Sequence, residues 1–422
     1  MKSETLAIQA GYNKDSNGTM SVPIYQTTAY DFGSAEVAAN RFALSEFGPI
    51  YTRLNNPTTD IFEARIAAIE KGAGAIAVAS GQAASYFAIL NLAKSGENII
   101  IANKLYGGTT TLLSHTIKRF GIEAKIFNSD TAEDLESLID DKTRAIFFET
   151  LSNPQLAIAD IEKIVEIAKK YKIVTIADNT VATPYIFKPF YYGVDVIVHS
   201  ASKYINGNGT AIGGVIVERN NIADVLKDNP RYPHFNEPDD SYHGLIYADL
   251  PLPIFTLRAR LSLIRDIGAV ISPFNSWLLI QGLETLHIRI KEHSKNALKI
   301  ARFLQSHKAV KSVNYPGLKE DIGYKKVQKY FTDGMCSGLL GFSVDSFEKA
   351  KQVLNDVRIF SIVVNIGDTK SIITHPASTT HQQVSKDDLL KQGINPGLIR
   401  LSVGLENADD LIEDLKQALE KN

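Results

Sequence analysis

Several short apolar runs in this chain lead straight into residues able to do chemistry. VIVHSASKYINGNG sets Ser200, Ser202 and Lys203 between one run and a glycine-rich loop, and IVTIADN ends in Asp178 with Asn179 and Thr180 next. AIAVAS leads into Gly81 and Gln82, which open the apolar stretch AASYFAILNL; FFET precedes Asn153, and NKLYGGT places Tyr106 after a further run. A lysine amine can form a Schiff base with an aldehyde. A carboxylate can pair with a ring nitrogen and keep it protonated. Backbone N–H groups at a helix start, with hydroxyls beside them, suit a phosphate, and an aromatic face suits a flat ring. Together these needs are those of pyridoxal 5'-phosphate.

Each piece alone has a plainer reading. A lysine near a strand end is usually solvated, an aspartate there is often a turn or cap, and Ser-Gly before a helix is often only an N-cap. A nicotinamide dehydrogenase is the competing open-sheet reading, but its G-x-G-x-x-G should follow the first strand. Here Gly72-x-Gly74-x-x-Ala77 precedes one instead, and no P-loop occurs. His234, Asp239, Asp240 and His243, and the pair His375 and His381, lack the spacing of common metal sites, so no metal is expected.

The elements that must position these residues follow from the pattern. AIAVAS, NIIIAN, AKIFN, AIFFET, IVTIADN and VDVIVHS read as strands buried on both faces. Helical stretches separate them; in DIEKIVEIAKKY, Ile161, Ile164, Val165 and Ala168 share one stripe, with Asp160 at its start. Such alternation predicts an α/β fold with a mostly parallel sheet covered by helices. Residues 61–255 form this large domain. After GGVIVE and the polar RYPHFNEPDDSYHG comes a long helix with Leu286, Ile290, Ala297, Ile300 and Leu304 on one face. LLGFSV, GLIRLSVG and DDLIEDLKQALEK then complete a smaller α+β domain over 256–422. Residues 1–60 show little periodicity and read as an arm that needs something to pack on.

Composition narrows the class. With 422 residues, two or three domains of about 150 residues are expected. A net charge of −2 gives no general reason to expect nucleic acid or an anionic membrane as partner. Neither residues 72–93 nor Ile267–Leu283 are apolar enough to span a bilayer, and MKSETLAIQAGYN lacks a secretory core. A single cysteine, Cys336, fits a reducing cytoplasm.

DVIVHSASKYINGNG resembles the lysine signature of the cysteine/methionine-metabolism family of pyridoxal-phosphate enzymes. PIYTRLNNPTTDIFEARIAAIE, SGQAA, LYGGT, ETLSNP, IADNTVATP, SPFNSWLLIQGLETL and RLSVGLE follow in the family's order. The resemblance implies an aspartate-aminotransferase-like (type I) fold. It implies that Lys203 holds the cofactor and moves protons, that Asp178 pairs with the ring nitrogen, and that Tyr106 stacks on the ring. Gly81, Gln82, Ser200 and Ser202 would hold the phosphate, with Thr180 near the ring. Tyr51 and Arg53 would reach the phosphate of the neighbouring subunit, making a dimer the smallest active unit and a homotetramer of such dimers the expected assembly. Arg400, with Asn153 and Asn365, would hold the substrate α-carboxylate.

EPDDSYHGL and NIGDTKSIITHPASTTHQQ are most similar to the branch that acts on O-acetylhomoserine. The implied reaction is γ-replacement with sulfide, methanethiol or a sulfur-carrier protein as donor. A cystathionine γ-synthase or a β- or γ-lyase of the same family is the alternative. Ser202 replaces the commoner Thr, and Asn208 stands where His or Gln is usual. Thr110 and Thr111 follow LYGGT where Tyr-Asn is frequent, and Gly108 occupies the position at which methionine γ-lyases typically carry cysteine.

Overall fold

The computed structural model describes residues 1–379, 382 and 393–421. Seven strands form the larger sheet: β1 (Gly74–Val78), β2 (Asn98–Ala102), β3 (Glu123–Phe127), β4 (Thr143–Glu149), β5 (Val174–Asp178), β6 (Val196–His199) and β7 (Gly214–Glu218). Their order is β1-β7-β6-β5-β4-β2-β3. Only β7 runs against the rest, so the sheet is mostly parallel as expected. The carboxyl ends of β1, β2, β4, β5 and β6 therefore lie along one edge, where ligands of open parallel sheets sit.

The apolar runs form strands because each can bury both faces. Ile146, Phe147 and Phe148 of β4 are fully buried, each worth roughly 1.5–3 kcal/mol relative to exposure. β3 departs from the expectation. AKIFN lies at the sheet's edge, paired with β2 alone among the described strands, and Ile126 is 54% exposed.

The helices start where the sequence allows their free N–H groups to be satisfied. Ser80 caps the helix Gly81–Leu90 through Ala83 N, and Asp160 caps Ile161–Tyr171 through Lys163 N. The latter buries Ile161, Ile164, Val165 and Ala168, the stripe read from the sequence, and Ile167 as well. Residues 72–93 are β1 and the buried helix after it. Among the described residues no helix is long and apolar enough to cross a membrane.

A second sheet comprises β8 (Ser312–Asn314), β9 (Leu339–Ser343), β10 (Ser361–Ile362), β11 (Ile372–Thr374) and β12 (Leu398–Ser402), in the order β10-β11-β12-β9-β8. The 34-residue helix Pro273–Ser306 joins the two halves: it packs on the helix Pro57–Glu70 and, further along, on β8 and β9. Residues 1–56 contain two short helices, Ser3–Gln9 and Ala35–Phe42, and irregular chain around them that leaves Met20 and Phe47 nearly four-fifths exposed.

Candidate active site

The parallel strands deliver five chain segments to one cavity of about 380 Å³, which residues of β12 and of the β10–β11 connection also line. From the large sheet come Gly81 and Gln82 after β1, Tyr106 after β2, Glu149 and Asn153 from β4 and its continuation, Asp178 and Thr180 at the end of β5, and Ser200, Ser202 and Lys203 after β6. Asn365, between β10 and β11, and Arg400 of β12 face them. All the site residues expected from the sequence line this cavity except Tyr51 and Arg53. Those two lie elsewhere on the surface, with the Arg53 guanidinium carbon 5.3 Å from the Tyr51 ring centroid.

Lys203 Nζ donates to Asn365 Oδ1 at 2.7 Å. Burial, and then the positive charge of Arg400, lower its pKa, which makes the neutral amine easier to reach. Arg400 is 3% exposed. Its Nη1 donates to Asn153 Oδ1 at 3.0 Å and its Nη2 to the Asn365 carbonyl at 3.1 Å, while Nε has no partner. Burial draws the guanidinium down to about 10, still well above neutral pH. It is therefore a charged fork with a donor to spare, suited to a planar carboxylate.

Asp178 Oδ1 accepts from Thr180 N at 2.9 Å. Burial raises its pKa; a cationic ring nitrogen beside it would restore the charged form. Thr180 Oγ1 accepts from Ser200 N at 2.8 Å, which fixes the start of the lysine loop against the end of β5. Ser202 Oγ both donates to Gly213 O at 3.1 Å and accepts from Gly213 N at 3.0 Å, so its hydroxyl already joins the loop to β7. At Gly81 the helix start comes so close to Ser200 that an added Cβ would lie 2.5 Å from the serine Cβ. Bare backbone there leaves N–H groups open to an anion.

Glu149 is the ionisable lining residue that the sequence reading passed over. It is in register with Asp178 on the adjacent strand, its Oε1 accepts from Tyr106 N at 2.6 Å, and its Oε2 accepts from Asn153 N at 3.0 Å. Burial, and then Asp178, raise its pKa well above the carboxylate range. The signal was present in AIFFET, a carboxylate closing an otherwise apolar strand, but only strand pairing places it beside Asp178.

Outside the cavity, His234, Asp239 and His375 serve the local fold. His234 Nε2 pairs with the Asn91 carbonyl at 2.9 Å, Asp239 accepts from Ser241 N and the Tyr247 and Ser262 hydroxyls, and His375 pairs with Ser378 Oγ and the Pro396 carbonyl. His381 lies outside the described residues.

A half-buried amine, a half-buried carboxyl at a strand end, an aromatic side chain and a bare helix start fit pyridoxal 5'-phosphate. Arg400 Nε, buried and unpartnered, fits the carboxylate of an amino acid beside it. The fold and the site define a pyridoxal-phosphate enzyme of the type I class. The family model for Cys/Met metabolism PLP-dependent enzymes matches residues 4–420, and the chain belongs to that family. It is 44% identical to the O-acetyl-L-homoserine sulfhydrylase of Leptospira meyeri, over 99% of this chain and 96% of that protein. To the O-acetyl-L-homoserine sulfhydrylase of Corynebacterium glutamicum it is 42% identical, over 98% of this chain and 95% of that one. Among solved structures it resembles a Campylobacter jejuni protein assigned as an O-acetylhomoserine (thiol)-lyase, which carries N'-pyridoxyl-lysine-5'-monophosphate. The TM-score is 0.99, the identity 55%, and each chain is covered fully.

Proposed function

We propose that this enzyme performs γ-replacement on O-acetyl-L-homoserine, exchanging acetate for sulfide or methanethiol to give L-homocysteine or L-methionine. One observation carries the reading: a lysine amine of lowered pKa and a buried guanidinium with an unpartnered Nε share one cavity with the strand-end carboxyl of Asp178. Pyridoxal phosphate supplies there an electron sink that acidifies the hydrogens of a bound amino acid.

The residues divide the remaining work. Arg400 grips the substrate α-carboxylate with Nε and Nη, and Asn153 and Asn365 hold the guanidinium in place. Lys203 would take the α-proton and hand it on to the bound cofactor, then, neutral again, take a β-proton as acetate leaves the γ-carbon; sulfide or thiolate would bond to that carbon, and both protons would return. Such transfers contribute roughly 10²–10⁴-fold each. Asp178 keeps the ring nitrogen protonated, Tyr106 stacks on the ring, and Gly81, Gln82 and Ser200 bind the phosphate, with Ser202 shaping the loop. Thr180 orients Asp178 and Ser200.

Tyr51 and Arg53 of a second copy complete the phosphate site, so the working unit is a dimer, paired further into a tetramer in a reducing cytoplasm. Steady-state rates with O-acetyl- and O-succinyl-homoserine, each with sulfide, methanethiol and cysteine, test the assignment. Highest kcat/KM for the acetyl ester with sulfide or methanethiol supports it; preference for cysteine makes the enzyme a cystathionine γ-synthase, and elimination without a thiol makes it a lyase. Lys203→Ala is expected to abolish turnover and leave a folded protein, read by activity and circular dichroism together.

A further inference from the structure

We propose that Glu149 is a positioning residue that ties the cofactor-stacking side of the site to its carboxylate clamp. The inference rests on the roles given above to Tyr106, Asn153 and Arg400. Glu149 is 6% exposed, closes β4 and lines the cavity. Its two oxygens are used separately. Oε1 accepts from the backbone N–H of Tyr106, 43 residues earlier in the chain, at 2.6 Å. Oε2 accepts from the backbone N–H of Asn153 at 3.0 Å. Asn153 in turn offers Oδ1 to Arg400 Nη1 at 3.0 Å.

One carboxylate therefore sits between the residue that sets the ring plane and the residue that aims the guanidinium. Tyr106 directly precedes the helix Gly107–Thr111, and Asn153 lies in the turn between the bridged residues Leu151 and Ile158, so Glu149 takes a backbone N–H from each of two separate turns. A buried backbone N–H that loses its acceptor costs the full desolvation penalty, so each of the two bonds holds its segment in place. Glutamate fits because both acceptors are needed at once, at the ends of one planar group. Glutamine offers one acceptor and turns an N–H₂ toward a backbone N–H, so it must release Tyr106 or Asn153. Glu149 makes no hydrogen bond to Lys203 or Asp178, which separates this role from proton transfer.

The test compares the holoenzyme with Glu149→Gln and, in case that variant folds poorly, Glu149→Asp, which keeps both acceptors on a shorter stem. Three quantities are read: the Kd for pyridoxal phosphate, the Kd for L-norleucine as an unreactive carboxylate probe by its effect on the cofactor's absorbance, and KM against kcat for O-acetylhomoserine. Losing one such bond is expected to raise at least one of the two Kd values about 10-fold. KM should rise in step with the norleucine value, and Glu149→Asp should recover part of the loss. Combined with Arg400→Lys, the effects on norleucine should fall short of additive, as for residues in one network. The proposal is overturned if both Kd values stay within about twofold of the unaltered enzyme, or if kcat alone falls. A loss of thermal stability with unchanged Kd values also overturns it, for it makes Glu149 merely structural. Because both Kd measurements need no acyl-homoserine, they keep their meaning if the substrate assignment fails.

Discussion

Arg400 is where the chemistry of single residues is most exposed to test. Its fork is anchored at Nη1 and Nη2, and Nε is left for a ligand. Arg400→Lys keeps a positive charge but loses the fork. KM for the amino-acid substrate should rise about 10- to 100-fold with a smaller change in kcat, since the lost contact exists before and during reaction. Gly108 makes a second point. A Cβ there would lie 2.7 Å from Tyr106 Cε1 and 2.9 Å from Gln82 Nε2, so glycine gives the ring and the amide their present places. Gly108→Ala should leave the melting temperature nearly unchanged but raise the cofactor Kd roughly 5-fold or more, because the ring must yield. Spectral titration of the apoenzyme measures this. At this scale Lys203 and Asp178 were readable because strand-end residues in a parallel sheet have one place to go. Glu149 was not, because its meaning lies in its register with Asp178 and in an N–H from a distant turn.

Among the elements, the helix Pro273–Ser306 carries a pH-dependent contribution to stability. His293 on this helix is fully buried against the second sheet: Nδ1 pairs with the Val403 carbonyl at 2.7 Å and Nε2 has no partner. Burial lowers its pKa from 6.5 to about 4. A base whose folded pKa is depressed stabilises the fold fully above its unfolded value and loses that contribution as pH falls through the folded one. The window here is pH 6.5 to about 4. His293→Gln should shrink the stability difference between pH 7 and pH 5 by about 2 kcal/mol, measured by urea unfolding at both values. His234, held near 3 by burial and then Arg258, leaves a residual slope that the variant does not touch. Elements with strong periodicity, such as Ile161–Tyr171 and the face of Pro273–Ser306, were legible in the chain. β8, β10 and β11 were not: each has two or three residues and exists because a longer neighbour offers hydrogen bonds. β3 was legible as a strand, but its place at the edge is a property of strand order.

At the scale of the whole molecule, spacing could not foresee that Arg400 meets Asn153 across 247 positions of sequence. Two sheets had to fold and face each other first. The same scale raises the question of what the arm is for. Residues 1–56 expose Met20 and Phe47 while Tyr51 and Arg53 stay away from their own chain's cavity, so an arm that completes a neighbour's site gives those side chains a partner. Such sharing has a consequence for mixed assemblies. A chain with Lys203→Ala keeps a sound arm but a dead site; one with Arg53→Ala keeps its lysine but offers a faulty arm. In a hybrid dimer one site collects both lesions and the other collects none. Each variant alone should show little turnover, whereas co-expression with different affinity tags should restore about a quarter of the wild-type rate per site, the share expected if half the dimers are hybrid and each has one intact site. If each chain builds its site alone, the hybrid shows only the average of the two parents, and the arm has another use.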